Sequence, residues 1–425
     1  MEFIPHTAEQ RKEMLAAIGL TMDDLFGDVP PELMAKSLKL PHGLSEQEVR
    51  DRMADLAGKN SIDLTLFLGG GFYDHFIPSA VYSIISRSEF YTAYTPYQPE
   101  ISQGTLQAIY EFQSAVCRLT EMEVSNASLY DGGTALYEAM MMALRITDRN
   151  KVIVDDSVNP IYRVMLRSYT RNLQIELEET RCEDGLANRA QILDKLDDKV
   201  GAVIVQNPNF FGCIDDLTDI AQAAHEKGAL LVVSSYPISL GILKTPGAMG
   251  ADIVTGEGQS LGIPMSFGGP YLGFMASRKE YVRKMPGRIV GETVDRNGDR
   301  AFVLTLQARE QHIRREKATS NICSNEALCA LTALVYMSLL GKQGLKETAQ
   351  RCADKASYAY QRLTQIPGVR PHFKAKWFFN EFVLDLPCEA ADVVARLIER
   401  GFAAGFPLSR YYKGMENSLL ICVTE

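Results

Sequence analysis

Tyr94-Thr95-Pro96-Tyr97-Gln98-Pro99-Glu100 sets two phenols, a hydroxyl, an amide and a carboxylate along one short string stiffened by two prolines. Proline fixes φ, so a string of this kind is a loop of restricted shape whose polar groups can be held in place. Such chemistry suits a lid over a small, flat, polar substrate. Tyr94, Thr95, Tyr97 and Gln98 would orient it, and Glu100 would position it or move a proton. His75 follows Gly69-Gly70-Gly71-Phe72-Tyr73-Asp74, where residues without a Cβ let backbone approach a ligand closely. It joins the catalytic candidates.

Two other segments could seat an anion. Asp131-Gly132-Gly133-Thr134 precedes an apolar helical stretch, 136–146, and small residues there leave backbone N–H groups free while Thr134 adds a hydroxyl. Thr319-Ser320-Asn321 offers hydroxyls and an amide ahead of a helix that Ser324 is expected to cap. Asn207-Pro208 ends the apolar run 202–205, the place where open α/β sheets bind ligands. Ser234 and Ser235 end the next apolar run, and Gln259 and Ser260 follow the one after.

The elements that must carry these residues fall into three regions. Residues 1–60 read as a helical arm, with Thr7 to Gln10 as a capping box and Ser45 opening a second helix. Residues 61–322 alternate β-rich runs (151–155, 200–206, 229–234, 252–254, 271–276) with helical stretches (160–170, 189–196, 218–227). Apolar strands separated by helices predict a mainly parallel α/β sheet covered on both faces. Residues 323–425 read as a linking helix 324–340, a second helix 344–364 and a small α+β domain. The last strand-like run, 419–423, leaves room for a further C-terminal helix.

Composition narrows the class. A net charge of −9 argues against nucleic acid, whose phosphates need a basic face. The eight cysteines form no C-x-x-C pair, so neither a zinc ribbon nor a disulfide framework is expected, and no metal is. The start, Met1 to His6, has no signal-peptide pattern, and apolar runs are expected to stop short of the ~20 residues of a membrane span. A cytoplasmic protein with no membrane partner is the expectation.

In chain order, the glycine cup, the Asn-Pro turn and the two strands that follow resemble the fold-type-I enzymes that use pyridoxal phosphate (PLP). Two departures matter. Where that fold has the Asp that protonates the pyridine nitrogen, this chain has Ser234 or Ser235; where it has the lysine, this chain has Gln259 or Ser260, and 245–277 contains no lysine. Neither serine nor glutamine can form the imine that makes PLP an electron sink, and a hydroxyl stabilises a pyridinium far less than a carboxylate does. Gly133, Thr134, Asn207, Ser234, Gln259 and Ser260 are therefore expected as vestigial PLP positions.

Longer strings are more specific. Gly69 to His75, Tyr94 to Gly104 and Gln311 to Cys323 resemble glycine decarboxylase, the P-protein family of the glycine cleavage system. Its two homologous halves, one with the lysine, occur in one chain or as separate subunits, and this chain looks like the lysine-free α half. The resemblance implies a complex that decarboxylates glycine on PLP held covalently by a lysine-bearing β subunit and passes the aminomethyl group to the lipoyl arm of H-protein. Tyr94, Thr95, Tyr97, Gln98, Glu100 and His75 would then serve an intersubunit site, and Thr319, Ser320 and Asn321 would reach the partner's PLP phosphate. This chain would be inactive alone. An autonomous PLP enzyme would need a lysine near 260, and a non-enzymatic binding or regulatory protein of the same fold is the other alternative.

Overall fold

A computed structural model describes residues 6–35, 37 and 39–425, so Met1 to Pro5 lie outside the described residues. The chain forms two compact units, Met1–Ile62 and Asp63–Glu425. The first holds helices α1 (Ala8–Ile18) and α2 (Glu46–Ala57). Both begin where side chains satisfy N–H groups that the helix itself cannot. Gln10 N donates to Thr7 Oγ1 at 3.2 Å, and Thr7 N returns a bond to Gln10 Oε1 at 2.9 Å. Ser45 and Glu48 form the same reciprocal pair. Neither helix buries a residue.

The second unit is built on a seven-stranded sheet. Its strands are β1 (Val124–Ser125), β2 (Lys151–Asp155), β3 (Glu176–Thr180), β4 (Val200–Asn207), β5 (Leu230–Ser235), β6 (Ile253–Glu257) and β7 (Gly273–Ser277), in the spatial order β1-β7-β6-β5-β4-β2-β3. β2 to β6 are mutually parallel, and β7 runs antiparallel between β6 and β1. Covering the sheet are α3 (Gln103–Thr120), α4 (Gly132–Thr147), α5 (Pro160–Thr170), α6 (Arg189–Lys195), α7 (Thr218–Glu226) and α8 (Ala327–Leu363).

Val203, Val205, Leu231 and Val233 pack into one core with Phe112, Val116, Ala221 and Ala330. Ala202, Ile204 and Val232 pack into another with Leu136, Met140 and Leu166. Successive strand residues face opposite ways. With helices over both faces, every position is apolar, which is why these strands read as unbroken apolar runs. The architecture is the mainly parallel α/β arrangement expected, with helices on both faces of the sheet.

Beyond the sheet lie a hairpin, β8 (Ile289–Val294) with β9 (Arg300–Thr305), and a four-stranded antiparallel sheet. The latter joins β10 (Arg370–Pro371), β11 (Glu381–Asp385), β12 (Phe406–Pro407) and β13 (Ser418–Cys422) in the order β10-β11-β13-β12, with helix α9 (Ala390–Ile398) nearby.

Two expectations are corrected here. Helix α8 starts at Ala327 without a side-chain cap, not at a Ser324 cap. Ser324 Oγ instead accepts from Arg288 at 2.8 Å, and Glu326 N donates to Ser128 Oγ at 3.1 Å. The two helices read from the sequence are both present within α8, separated at Gly341, where φ is 61° and ψ is −173°, a backbone glycine adopts freely. An 18-residue window of α8, mean hydropathy 1.3, also reaches the length and composition of a membrane span. Ala330, Ala333 and Tyr336 on it are part of the core, the ordinary place of an apolar helix in a folded domain.

Candidate functional site

The carboxyl ends of β4, β5 and β6 meet the start of α4. Asn207 and Ser235 are register neighbours, and the Ser235 hydroxyl donates to the Asn207 carbonyl at 3.0 Å. Ser234 pairs with Thr255 on β6. Glu257, the last residue of β6, accepts from Gly132 N at 2.9 Å and from Gln259 N at 3.0 Å. The four segments that the sequence placed at a vestigial cofactor pocket thus lie together.

Their polar groups are already engaged. Asp131 caps α4, accepting from Thr134 N at 2.9 Å and from the Thr134 hydroxyl at 2.7 Å. The helix therefore starts at Gly132, ahead of the expected Leu136. Glu257 takes a third N–H, from Leu272 at 3.0 Å. Gly132 has no room for a side chain, since a Cβ would stand 2.5 Å from the Tyr162 hydroxyl and 3.0 Å from Glu257 Cβ. Burial pushes the Glu257 carboxyl up to about 8, while the three N–H donors act the other way. Ser260 Oγ is buried without a partner.

Gln259, one of the two residues that the sequence reading put in the lysine's place, uses its amide in both directions. Oε1 accepts from Tyr73 N at 2.8 Å, while Nε2 donates to Tyr73 O at 3.0 Å and Ile263 O at 2.7 Å. A lysine ammonium has donors only, so it could not take the Tyr73 N–H. The glycine-rich string consequently lies against the pocket. Gly70 N and the Tyr73 hydroxyl both donate to Glu381, each at 2.7 Å. The Tyr73 ring lies 4.1 Å from that of Tyr236, and Phe72 stacks on Tyr271 at 4.3 Å. A Cβ on Gly69 would come within 2.1 Å of Glu381 Oε1, so this approach requires glycine. Burial pushes Glu381 up to about 7.

These residues do not fit PLP bound in this chain. Neither Gln259 nor Ser260 can form an imine, neither Ser234 nor Ser235 offers the ring nitrogen an acid, and the first N–H of the cup is held by the chain's own carboxyl.

His75 belongs to this buried set rather than to the tyrosine loop. One ring nitrogen bonds the Tyr236 hydroxyl and the other bonds Glu425 at 2.6 Å. Cys352 Sγ donates to the same Glu425 carboxylate at 3.4 Å. Donor atoms of His75, Cys352 and Glu425 lie within 4.8 Å of one another. Burial pushes the Cys352 thiol up, which keeps it a hydrogen-bond donor and a poor metal ligand.

The tyrosine loop lies elsewhere on the surface. Tyr94 is 74% and Tyr97 48% exposed, Gln98 and Glu100 are exposed, and Thr95 Oγ1 is buried without a partner. Gln103 anchors the loop, its amide bonding Pro99 O at 2.7 Å and the main chain of Phe302 on β9. Arg288, which sequence reasoning missed, ties the loop to the segment before α8. It donates to the Tyr97 hydroxyl at 3.1 Å as well as to Ser324. The guanidinium is buried, its Nε 3.8 Å from Glu310 Oε2. A lone arginine between Gly287 and the apolar Ile289-Val290 was the one available hint.

Thr319, Ser320 and Asn321 are not at the helix N-terminus that the sequence assigned them, because α8 begins only at Ala327. Thr319 N bonds Arg309 O at 3.0 Å, Ser320 Oγ accepts from Ile322 N at 3.1 Å, and Asn321 is exposed. Burial raises the Glu138 carboxyl, with the Ser320 hydroxyl opposing that shift.

The family model for the glycine cleavage system P-protein matches residues 1–425. The chain belongs to the glycine cleavage system P-protein family. Relatives agree over the whole length of this P-protein chain. Probable glycine dehydrogenase (decarboxylating) subunit 1 of Geotalea uraniireducens (strain Rf4) is 58% identical over 426 aligned residues, covering 100% of this chain and 96% of that protein. The protein of the same description from Oleidesulfovibrio alaskensis is 56% identical with the same coverage. Among solved structures, a glycine decarboxylase (P-protein) of the glycine cleavage system in inhibitor-bound form superposes with a TM-score of 0.94 at 46% identity, over 100% of this chain and 96% of that one. Glutamate decarboxylase from Lactobacillus brevis, with a TM-score of 0.68 at 13% identity over 92% of this chain and 90% of that one, shares the fold alone.

Proposed function

We propose that this chain is the lysine-free α subunit of a two-subunit glycine dehydrogenase (decarboxylating), inactive by itself. Its partner is a lysine-bearing β subunit that holds PLP, the electron sink for glycine decarboxylation. The lipoyl arm of H-protein takes the aminomethyl group. The observation that carries the reading is Gln259, which meets Tyr73 with both faces of its amide in the place where the lysine would stand.

On this reading the chain's own residues complete the cleft over the partner's cofactor. Tyr97, held by Arg288, and the exposed Tyr94, Gln98 and Glu100 supply oriented hydroxyls, an amide and a carboxylate. A chain without a cofactor anchor gains nothing from a polar, tyrosine-rich lid over its own filled pocket. The buried, unpartnered Thr95 hydroxyl would find its acceptor or donor in the assembly, since leaving it unpaired costs on the order of 1–3 kcal/mol. Thr319, Ser320 and Asn321 would face the partner's PLP phosphate. The cytoplasm is the proposed compartment, in keeping with eight unpaired cysteines.

The test is to purify the chain alone and with its lysine-bearing partner, then record absorbance and map borohydride-reduced PLP adducts by mass spectrometry. The expected adduct lies on the partner only, and glycine–bicarbonate exchange appears only when both chains are present. An adduct on a lysine of this chain, or exchange by this chain alone, would overturn the assignment.

A further inference from the structure

Three backbone N–H groups from three places in the chain converge at the start of α4. Gly132 donates from the first turn of a 16-residue helix, Gln259 from just after β6, and Leu272 from just before β7. Convergent N–H groups at a helix N-terminus make an anion seat, because the donors and the helix dipole act in the same direction. Here the helix supplies one donor of three. The other two come from outside it and reach the same oxygen, Oε1 of Glu257, while Gly132 reaches Oε2.

The glutamate that fills the seat is buried, 8% exposed. Its backbone lies directly beneath, since a Cβ on Gly132 would come within 3.1 Å of Glu257 N. The glycine at 132 admits the carboxyl, and it would equally admit a small oxyanion.

We propose that Glu257 is a built-in occupant of an oxyanion seat at the start of α4, and that this one side chain keeps the seat closed to phosphate. Removing the side chain would leave three buried N–H donors without acceptors and a space the size of the lost chain. A small oxyanion such as formate or inorganic phosphate meets both needs. The inference depends on the fold and on these contacts, and it goes beyond the proposed function by assigning this chain a latent oxyanion site.

The experiment is Glu257→Ala in the full chain, unfolded thermally in chloride, formate and inorganic phosphate at matched ionic strength. Wild type is expected to show only the small, non-saturating shift that phosphate gives folded chains in general. The variant is expected to unfold at a lower temperature in chloride and to regain several degrees in formate or phosphate, with saturation as the seat fills. Glu257→Gln, which keeps the bulk of the side chain, is expected to be destabilised and to show no anion response. If Glu257→Ala does not fold in chloride, its refolding yield in phosphate against chloride replaces the melting temperature, and a higher yield in phosphate supports the proposal. A variant indifferent to the anion by either measure, or a wild type stabilised by phosphate as much as the variant, overturns it. Neither partner nor activity enters the measurement, so this proposal and the proposed function fail independently.

Discussion

Arg288 Nη2 donates to the phenol oxygen of Tyr97 at 3.1 Å, while Nη1 of the same guanidinium donates to Ser324 Oγ at 2.8 Å. One buried arginine thus fixes the tyrosine loop against the segment leading to α8. Because the Tyr97 oxygen is accepting, its own hydrogen is free to point outward.

Tyr97→Phe in the co-expressed complex is expected to lower glycine–bicarbonate exchange by roughly 10²-fold, the scale of a lost positioning or proton-transfer group. Arg288→Lys keeps the charge and loses the fork. It should lower exchange as well, and in the Tyr97→Phe background it should add little, because the two act as one unit. The isolated Arg288→Lys chain should also be cleaved faster within 92–101 by limited proteolysis. Independent, additive losses together with an unchanged cleavage pattern would show that Arg288 does not hold the loop.

Glu100 is exposed, and its side chain makes no ion pair or hydrogen bond among the described residues. Glu100→Gln should therefore change the chain's unfolding free energy by no more than about 0.5 kcal/mol. In the assembled complex it should lower kcat by roughly 10²-fold. Full activity in a normally assembled complex would remove Glu100 from the site.

Glu381 and Glu257 are held at about 7 and about 8, up from an ordinary 4.5, chiefly by burial. A carboxyl of this kind keeps its proton in the folded chain where the unfolded chain has lost it. Its contribution to stability therefore falls as pH rises above the unfolded value, and stops falling above the folded value. For Glu381 the full fall is about 3 kcal/mol. In Glu381→Gln the amide still accepts from Gly70 and can donate to Tyr73, so denaturant unfolding should show a flatter pH profile than wild type between about pH 5 and 7. Parallel profiles would mean that Glu381 does not titrate there.

Gln259→Lys tests whether the missing lysine alone bars PLP. The substitution removes the acceptor for the buried Tyr73 N–H, which should destabilise the chain by about 1–3 kcal/mol. With Glu257 still on the Gly132 N–H, no borohydride-reducible PLP adduct is expected at position 259. A stable adduct there would show that the pocket is closed by that one residue type.

Much of the frame could be read from one dimension. The runs 200–206 and 229–234 lie within a residue or so of β4 and β5, and 160–170 is α5, because apolar runs and amphipathic periods are short-range signals. The hairpin 289–305 escaped notice, since half-exposed strands with charged residues lack that contrast. The Ser324 cap misled for a tertiary reason, as Arg288 draws its hydroxyl away before it can cap α8.

By itself the sequence determined the order of cup, turn and strands, and the absence of any lysine over 245–277, because both are properties of a string. Only the tertiary structure decided what took the vacated places. Gly70 meets Glu381 across 311 positions, Tyr73 meets Gln259 across 186, and Gly132 meets Glu257 across 125. Each bond exists because sheet packing brings distant segments to one point, where a buried N–H left without an acceptor would be costly. No local pattern records which acceptor will be there.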